Sequence, residues 1–533
     1  MRKRPARIST VPRVAVAIVL FFAAVRADAQ DVPTDRGDAV ATTSHAFQGL
    51  ARCKRCHREP TPEDIKAGVT NFVALTESTI WEHDIHSKAF ALIDPKTSPL
   101  GKQICFNLQI AEIKEARQCL SCHSNWVTGN APPRDYERGV TCESCHGASE
   151  GWDPKHSFPE WRQRPVNFKE EQGMIDVRNP VKRAAQCASC HIGNAAEGKV
   201  VTHAMYAAGH PPLPSIEIES FAKQMPRHWR SLDEKPEFKF RAEFTKQNLS
   251  FVKQDDGSGT TQLAQHNSRA AAVVLDGVVA LSASVDLLAA TASDGHDSWP
   301  ELSVLNCSAC HHDLAYPGWR QQTPRSTRPG RPAIQAWPSA LVRLAILHIS
   351  QDRASYDARF AEFNQKLAAV HAVFESTPFG NPDKLQPACA ALRDWLTTEL
   401  IEPASQKPFD NRSLNRCFQL LVRIGSTEMH DYDSARQIGW ALRALYCEAN
   451  DKIQNDEQVR TLLLELSAEL RLDLPNGSGE FCLPFERPVA PPELRALETD
   501  LPARLKAAAV YSPDLFRRRM DGLRRRLKQR LTQ

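Results

Sequence analysis

Ten of the fifteen cysteines recur in one pattern, Cys-x-x-Cys-His. The copies are Cys53-Lys-Arg-Cys56-His57, Cys119-Leu-Ser-Cys122-His123, Cys142-Glu-Ser-Cys145-His146, Cys187-Ala-Ser-Cys190-His191 and Cys307-Ser-Ala-Cys310-His311. One short turn places both thiols along a porphyrin edge, where they add across the two vinyl groups. The histidine that follows turns under the ring and ligates iron from the proximal side. Zinc would instead pair such motifs to close a tetrahedron within a small module. A thioredoxin-like redox pair occurs once, beside a βαβ pattern not visible here. Iron–sulfur clusters do not demand histidine after every second cysteine, and disulfides would not repeat so regularly. The pattern predicts five covalently bound haem c groups. Their thioethers come from those ten cysteines, and their proximal ligands are His57, His123, His146, His191 and His311.

A cytochrome iron closed on both faces usually takes a second histidine. His86 lies in Trp81-Glu-His-Asp-Ile-His86-Ser-Lys-Ala-Phe90, a stretch able to point an imidazole into the haem cluster. His156 follows His146 by ten residues, and His210 ends Thr202-His-Ala-Met-Tyr-Ala-Ala-Gly-His210. These three lead the distal candidates, followed by His203 and His312. His45, His83 and His228 rank below them, and Met205 reads as packing rather than as a ligand. Arg52, Arg55, Arg117 and Arg183 suit haem propionates, since guanidinium pairs carboxylate bidentately. A solvated face explains them equally well.

The elements that must position these groups follow from the rest of the chain. Hydrophobic residues make up 42% and charged residues 24% of the 533, a globular composition, and 36 prolines argue for many loops. Residues 1–29 read as a secretory leader: a basic start, an apolar run over 14–25 and Ala27-Asp28-Ala29 before Gln30. That predicts a periplasmic or otherwise exported protein, the compartment in which covalent haem attachment occurs. The leader holds six basic residues and one acid, so its loss takes the net charge from +4 to −1. Nucleic-acid binding then has no electrostatic basis.

The expected organisation is a pentahaem domain over 30–325, a linker at 326–332 within the Pro/Arg-rich stretch 323–332, and a helical domain over 333–487. A proline-rich linker and a basic amphipathic helix fill 488–533. The fold class is mainly α with much loop, because porphyrins supply much of the core around the motifs. The longest regular element is expected from Gln262 to Ala290. Apolar spacing at Ala340, Leu341, Leu344, Ala345 and His348, then at Phe360, Phe363, Leu367 and Val370, marks the first helices of the helical domain. Residues 504–533 carry ten basic residues against Asp514 and Asp521, with Leu515, Phe516, Met520, Leu523, Leu527 and Leu531 at helical spacing. Such a helix docks its stripe on the helical domain or, through 513–531, makes a peripheral membrane contact. Among the other cysteines, Cys389, Cys417, Cys447 and Cys482 suffice for two disulfides, with three connectivities open and Cys105 left over.

The order of motifs, with His86-Ser-Lys-Ala-Phe90, Gly139-Val-Thr-Cys142-Glu-Ser-Cys-His-Gly147 and His156, resembles the cytochrome c-554 family of multihaem electron carriers. Asn306-Cys-Ser-Ala-Cys-His-His-Asp-Leu314, Ala208-Gly-His-Pro211 and Met225-Pro-Arg-His-Trp229 look like larger multihaem cytochromes. The resemblance covers roughly 45–320. It implies closely packed haems with mostly bis-histidine ligation, and it supports His86, His156 and His210 as distal ligands. The fifth motif and the C-terminal domain lie beyond the tetrahaem pattern. Two functions compete. One is electron transfer between redox proteins as donor and acceptor. The other is an oxidoreductase with one open haem acting on a small nitrogen compound, which should leave one iron without a distal histidine. The supply of histidines favours electron transfer.

Overall fold

The computed structural model describes residues 45–532 apart from 60, 67–76, 126–134, 159, 162–163, 230–252, 255–261, 264–268, 294–298, 312–315, 317–330, 450 and 474–505. The leader, the linker at 326–330 and the proline cluster near 488 lie outside these residues. The protein is mainly helical. Among the described residues the strands are two dipeptides, Lys253–Gln254 and Gln262–Leu263, paired antiparallel.

The helix Arg269–Ser293 is the hub. It begins seven residues later than expected, because Gln262–Leu263 is strand and because its first N–H groups are claimed from far along the chain. The Arg269 and Ala270 amides donate to the two carboxylate oxygens of Glu448, at 2.6 and 3.0 Å. The helix is apolar nearly all round, as burial on every side requires. By length and composition it could cross a membrane, yet 67% of its apolar window is buried inside the protein. One face (Val273, Val274, Val278, Leu281, Val285) packs on Leu341, Leu344, Leu392 and Trp395 in the main core. The other (Val279, Ala280) meets Ala184, Ile216, Ile218 and Trp337. Gly277 permits the approach, since a Cβ there would lie 2.6 Å from Leu341 Cβ. The apolar core therefore runs from the motif-bearing part of the chain into the C-terminal helices.

Those helices are Val342–Ile349, Arg353–Ser376, Pro382–Trp395, Asn411–Thr427, Tyr432–Tyr446 and Glu457–Leu470. Asn381, Asp410, Asp431 and Asp456 each cap the start of a helix with the side-chain oxygen. The terminal helix Pro513–Thr532 lays Phe516, Met520, Leu523 and Leu527 into the main core, each at most 4% exposed. Met520 rests over Gly425 of the 411–427 helix. These four residues of the stripe are thus used inside the protein, and among the described side chains of 513–531 it is mainly the basic face that is left to meet a membrane. Its arginines also pair internally, Arg519 with Glu465 and Arg526 with Asp456.

The two disulfides for which Cys389, Cys417, Cys447 and Cys482 would suffice do not both form. Cys389 and Cys417 are buried free thiols on separate helices, each pushed up to about 12 by burial. Cys447 is disulfide-bonded, and Cys482 lies outside the described residues.

Candidate haem centres

The motifs sit on or at the end of helical elements: short ones at Leu50–Cys53, Arg117–His123 and Cys142–His146, the end of the twelve-residue helix Pro180–His191, and the 3₁₀ turn Cys307–Ala309. Asn179 caps the fourth, accepting from Val181 N with Pro180 at the first position. Glu143, inside the third motif, is 1% exposed and serves as a joint. Its carboxylate accepts from Gln48 N, Gly49 N, Ser149 N and Ser149 Oγ at 2.7–2.9 Å. Gly147, which closes the motif, has φ 85°, and a Cβ there would strike Gly173 O at 2.1 Å.

Every motif histidine faces another histidine ring. The pairs and their centroid separations are His57–His156 at 6.1 Å, His86–His191 at 6.1 Å, His123–His210 at 6.4 Å, His146–His228 at 6.4 Å and His203–His311 at 6.2 Å. A metal held between the near nitrogens of two imidazoles, with bonds of about 2.0–2.1 Å and roughly 1.1 Å from nitrogen to ring centre, separates the centres by about 6.3 Å. The separations match a metal-sized gap in all five pairs. Ring planes are nearly parallel for His57–His156 (9°) and His203–His311 (28°). They are steep for His86–His191 (82°), His123–His210 (77°) and His146–His228 (72°).

Hydrogen bonds to the outer nitrogens orient four of the rings. His57 Nδ1 donates to Glu77 Oε2 (3.1 Å) and His86 Nδ1 to Asp84 Oδ1 (2.9 Å). His123 Nδ1 donates to Ala89 O (2.8 Å) and His210 Nδ1 to Pro211 O (2.7 Å). A proton on Nδ1 leaves the Nε2 lone pair free to bind a metal. Burial pushes His123, His146 and His191 down to about 4, so they stay neutral at neutral pH and keep that lone pair. Burial also opposes charge on His86, but the Asp84 hydrogen bond and charge outweigh it and hold the group raised. The donor set fits bis-imidazole haem.

The motifs touch in an order different from their order in sequence. The Cys53 thiol meets Cys142, joining the first motif to the third. Gln186 Nε2 donates to Ser144 O, joining the third to the fourth. The Cys122 thiol meets Cys190, joining the fourth to the second. The helix His203–Ala208 bridges the second and fifth, with His203 opposite His311 and His210 just beyond its end opposite His123.

Four expected distal candidates, His86, His156, His210 and His203, stand opposite motif histidines. His312 lies outside the described residues, and the fifth pair is made by His203. His228, which ranked below these, faces His146. Its signal was present in Met225-Pro-Arg-His-Trp229. His45 instead hydrogen-bonds Glu171 O through Nε2 (3.0 Å) and packs against Gly151 and Gly173. His83 is exposed. Two of the proposed propionate partners are engaged within the protein, Arg52 with Asp153 and Arg183 with Glu219.

Motifs, facing histidines and a helical fold with almost no strand define a class, the multihaem c-type cytochromes. Residues 52–147 match the family model described as cytochrome c554 and c-prime, so the chain carries a domain of that family. It is 21% identical over 219 residues to cytochrome c-554 of Nitrosomonas europaea, spanning 37% of this chain and 83% of that protein. No solved structure matches.

Proposed function

We propose that this protein is an exported pentahaem cytochrome passing electrons between redox proteins, with all five irons closed by two histidines. The facing of each motif histidine by a second imidazole, at a metal-sized distance, carries the reading. The ligand sets are His57 with His156, His123 with His210, His146 with His228, His191 with His86, and His311 with His203. When bound, haem iron supplies reversible one-electron chemistry whose potential follows its axial ligands and surroundings. The chain's own part is to hold these ligands, exclude water and keep the centres near one another. Contiguity of the motifs in the order one, three, four, two, five supports conduction along the molecule. A haem enzyme would need a vacant position, and none of the five motif histidines lacks a facing ring. The relative's name, a cytochrome, agrees with this reading, and the leader over 1–29 supports export.

The test is electron paramagnetic resonance of the oxidised mature protein, after a haem count of five and an N-terminus at Gln30 are established. Wholly low-spin ferric signals are expected. A stoichiometric high-spin signal would mean an open iron and would favour the enzyme reading.

A further inference from the structure

The five facing pairs differ in what holds the outer nitrogen of each ring. His86 is held by Asp84, a carboxylate 1% exposed. His57 is held by Glu77, whose side chain is 18% exposed and slightly farther away, at 3.1 Å. His123 and His210 are held by neutral backbone carbonyls. The buried Nδ1 atoms of His156 and His228 make no well-formed hydrogen bond and have only the backbone of Trp152 and Pro226 to turn to, with no carboxylate on them. An imidazole whose outer N–H is gripped by a carboxylate donates more strongly to its metal than one bonded to a carbonyl. Stronger donation favours ferric over ferrous iron. A negative charge buried in a low-dielectric interior acts in the same direction, and Asp84 also lies within electrostatic reach of His228.

We infer that Asp84, and more weakly Glu77, are positioning residues that polarise their histidines, so that the His86–His191 and His57–His156 centres hold the lowest potentials of the five. This rests on the two-histidine reading of those centres. Electrons would then settle last on the first and fourth motifs, and the remaining three would fill first. Asp84 has a second task that complicates a crude deletion. The same Oδ1 accepts His86 N–H at 3.0 Å and caps the turn Ile85–Lys88. Asn keeps an acceptor oxygen for both N–H groups and removes only the charge, so Asp84→Asn is the discriminating variant.

The experiment is a redox titration of the holoprotein, unmodified, Asp84→Asn and Glu77→Gln, followed by electron paramagnetic resonance. Ring angles label the two centres. Perpendicular imidazole planes leave two iron d orbitals nearly degenerate and give a strongly anisotropic signal, whereas parallel planes split them and give a rhombic one. Asp84→Asn is expected to raise the midpoint of one strongly anisotropic signal most, with at most a smaller rise in a second. Glu77→Gln should raise one rhombic signal by less. Unmoved potentials in both variants, with every signal still low-spin, overturn the inference and leave the two-histidine reading standing. A high-spin signal confined to Asp84→Asn, with the other potentials unmoved, also overturns it, since Asp84 then only holds the ring. A high-spin signal in the unmodified protein instead removes the two-histidine reading.

Discussion

The motif-bearing part and the C-terminal helices solve the problem of an interior in opposite ways. Behind the central helix, Leu344, Ile346, Phe374, Leu392, Phe418, Leu421, Trp440 and Phe516 are all at most 1% exposed and belong to the C-terminal side. Around the first three motifs the apolar cluster among the described residues is Phe90 and Leu120 with a few partly buried neighbours, and Leu50, Trp152 and Trp161 are buried apart from it. Much of what is buried there is polar: Ser121, Ser124, Asn125, Thr141, Glu143 and Ser149. These groups are tied to one another and to backbone, as when Thr141 N donates to Asn125 Oδ1 at 2.9 Å. One region is held by side chains that leave water. The other is a hydrogen-bonded frame whose apolar filling is meant to come from its prosthetic groups.

The most direct way to break this contrast is to withhold haem. Protein made without haem attachment should lose protease resistance over 45–228 while the helices of 342–470 stay resistant, as limited digestion with mass mapping would show. Uniform resistance across both regions would erase the distinction. A polar joint comes next. Glu143→Ala strands four donors and should cost the holoprotein on the order of 5 kcal/mol in denaturant unfolding. On the apolar side, Phe516→Ala should cost about 3–5 kcal/mol through the cavity it leaves, with the haem spectrum unchanged.

The junction between the regions adds a pH test. Glu217 is buried beside Glu219 and Asp276, and burial pushes its carboxyl up to about 7. The folded protein keeps a proton that the unfolded chain releases near pH 4.5. Stability from this group is therefore intact below that pH and is lost as pH rises through 7. Glu217→Gln should stabilise the protein above pH 7 by on the order of 3 kcal/mol, with the gain vanishing toward pH 4 in parallel melts. The smallest effect is expected at Gly425→Ala. The new Cβ meets the flexible end of Met520 at 2.6 Å, and improved helix propensity offsets the shift to within about 1 kcal/mol of melting stability.

Much of the site was legible in the sequence because haem attachment is a local, covalent pattern. The Asn-Pro caps at 179–180 and 381–382 are equally local features, each placing the asparagine before the first helical proline. The apolar stripes of 341–348 and 516–527 likewise read true. What failed to read was long-range. Nothing near Arg269 announces that Glu448, 179 residues later, caps its helix. His228 differs from an ordinary histidine only in the ring it meets, and that ring belongs to a residue 82 positions away. Asp84 and Glu77 look like any acid on a surface turn until their neighbours are known. The buried thiols of Cys389 and Cys417 show that an even cysteine count suggests pairing without supplying proximity.

The facing histidines bear finally on how such a molecule is made. Under the proposed ligation each centre draws its two ligands from positions roughly 80 to 110 residues apart, and each span overlaps the next, so that successive loops interlock. As the chain emerges N-terminus first, a haem attached at His57 waits for His156, and the later centres await His191, His210, His228 and His311 in turn. Biogenesis would complete them in the order first, fourth, second, third, fifth. A chain exported only short of residue 191 would hold at most one finished centre, because each of the first four spans encloses further motifs, whereas the span 203–311 encloses its own motif alone.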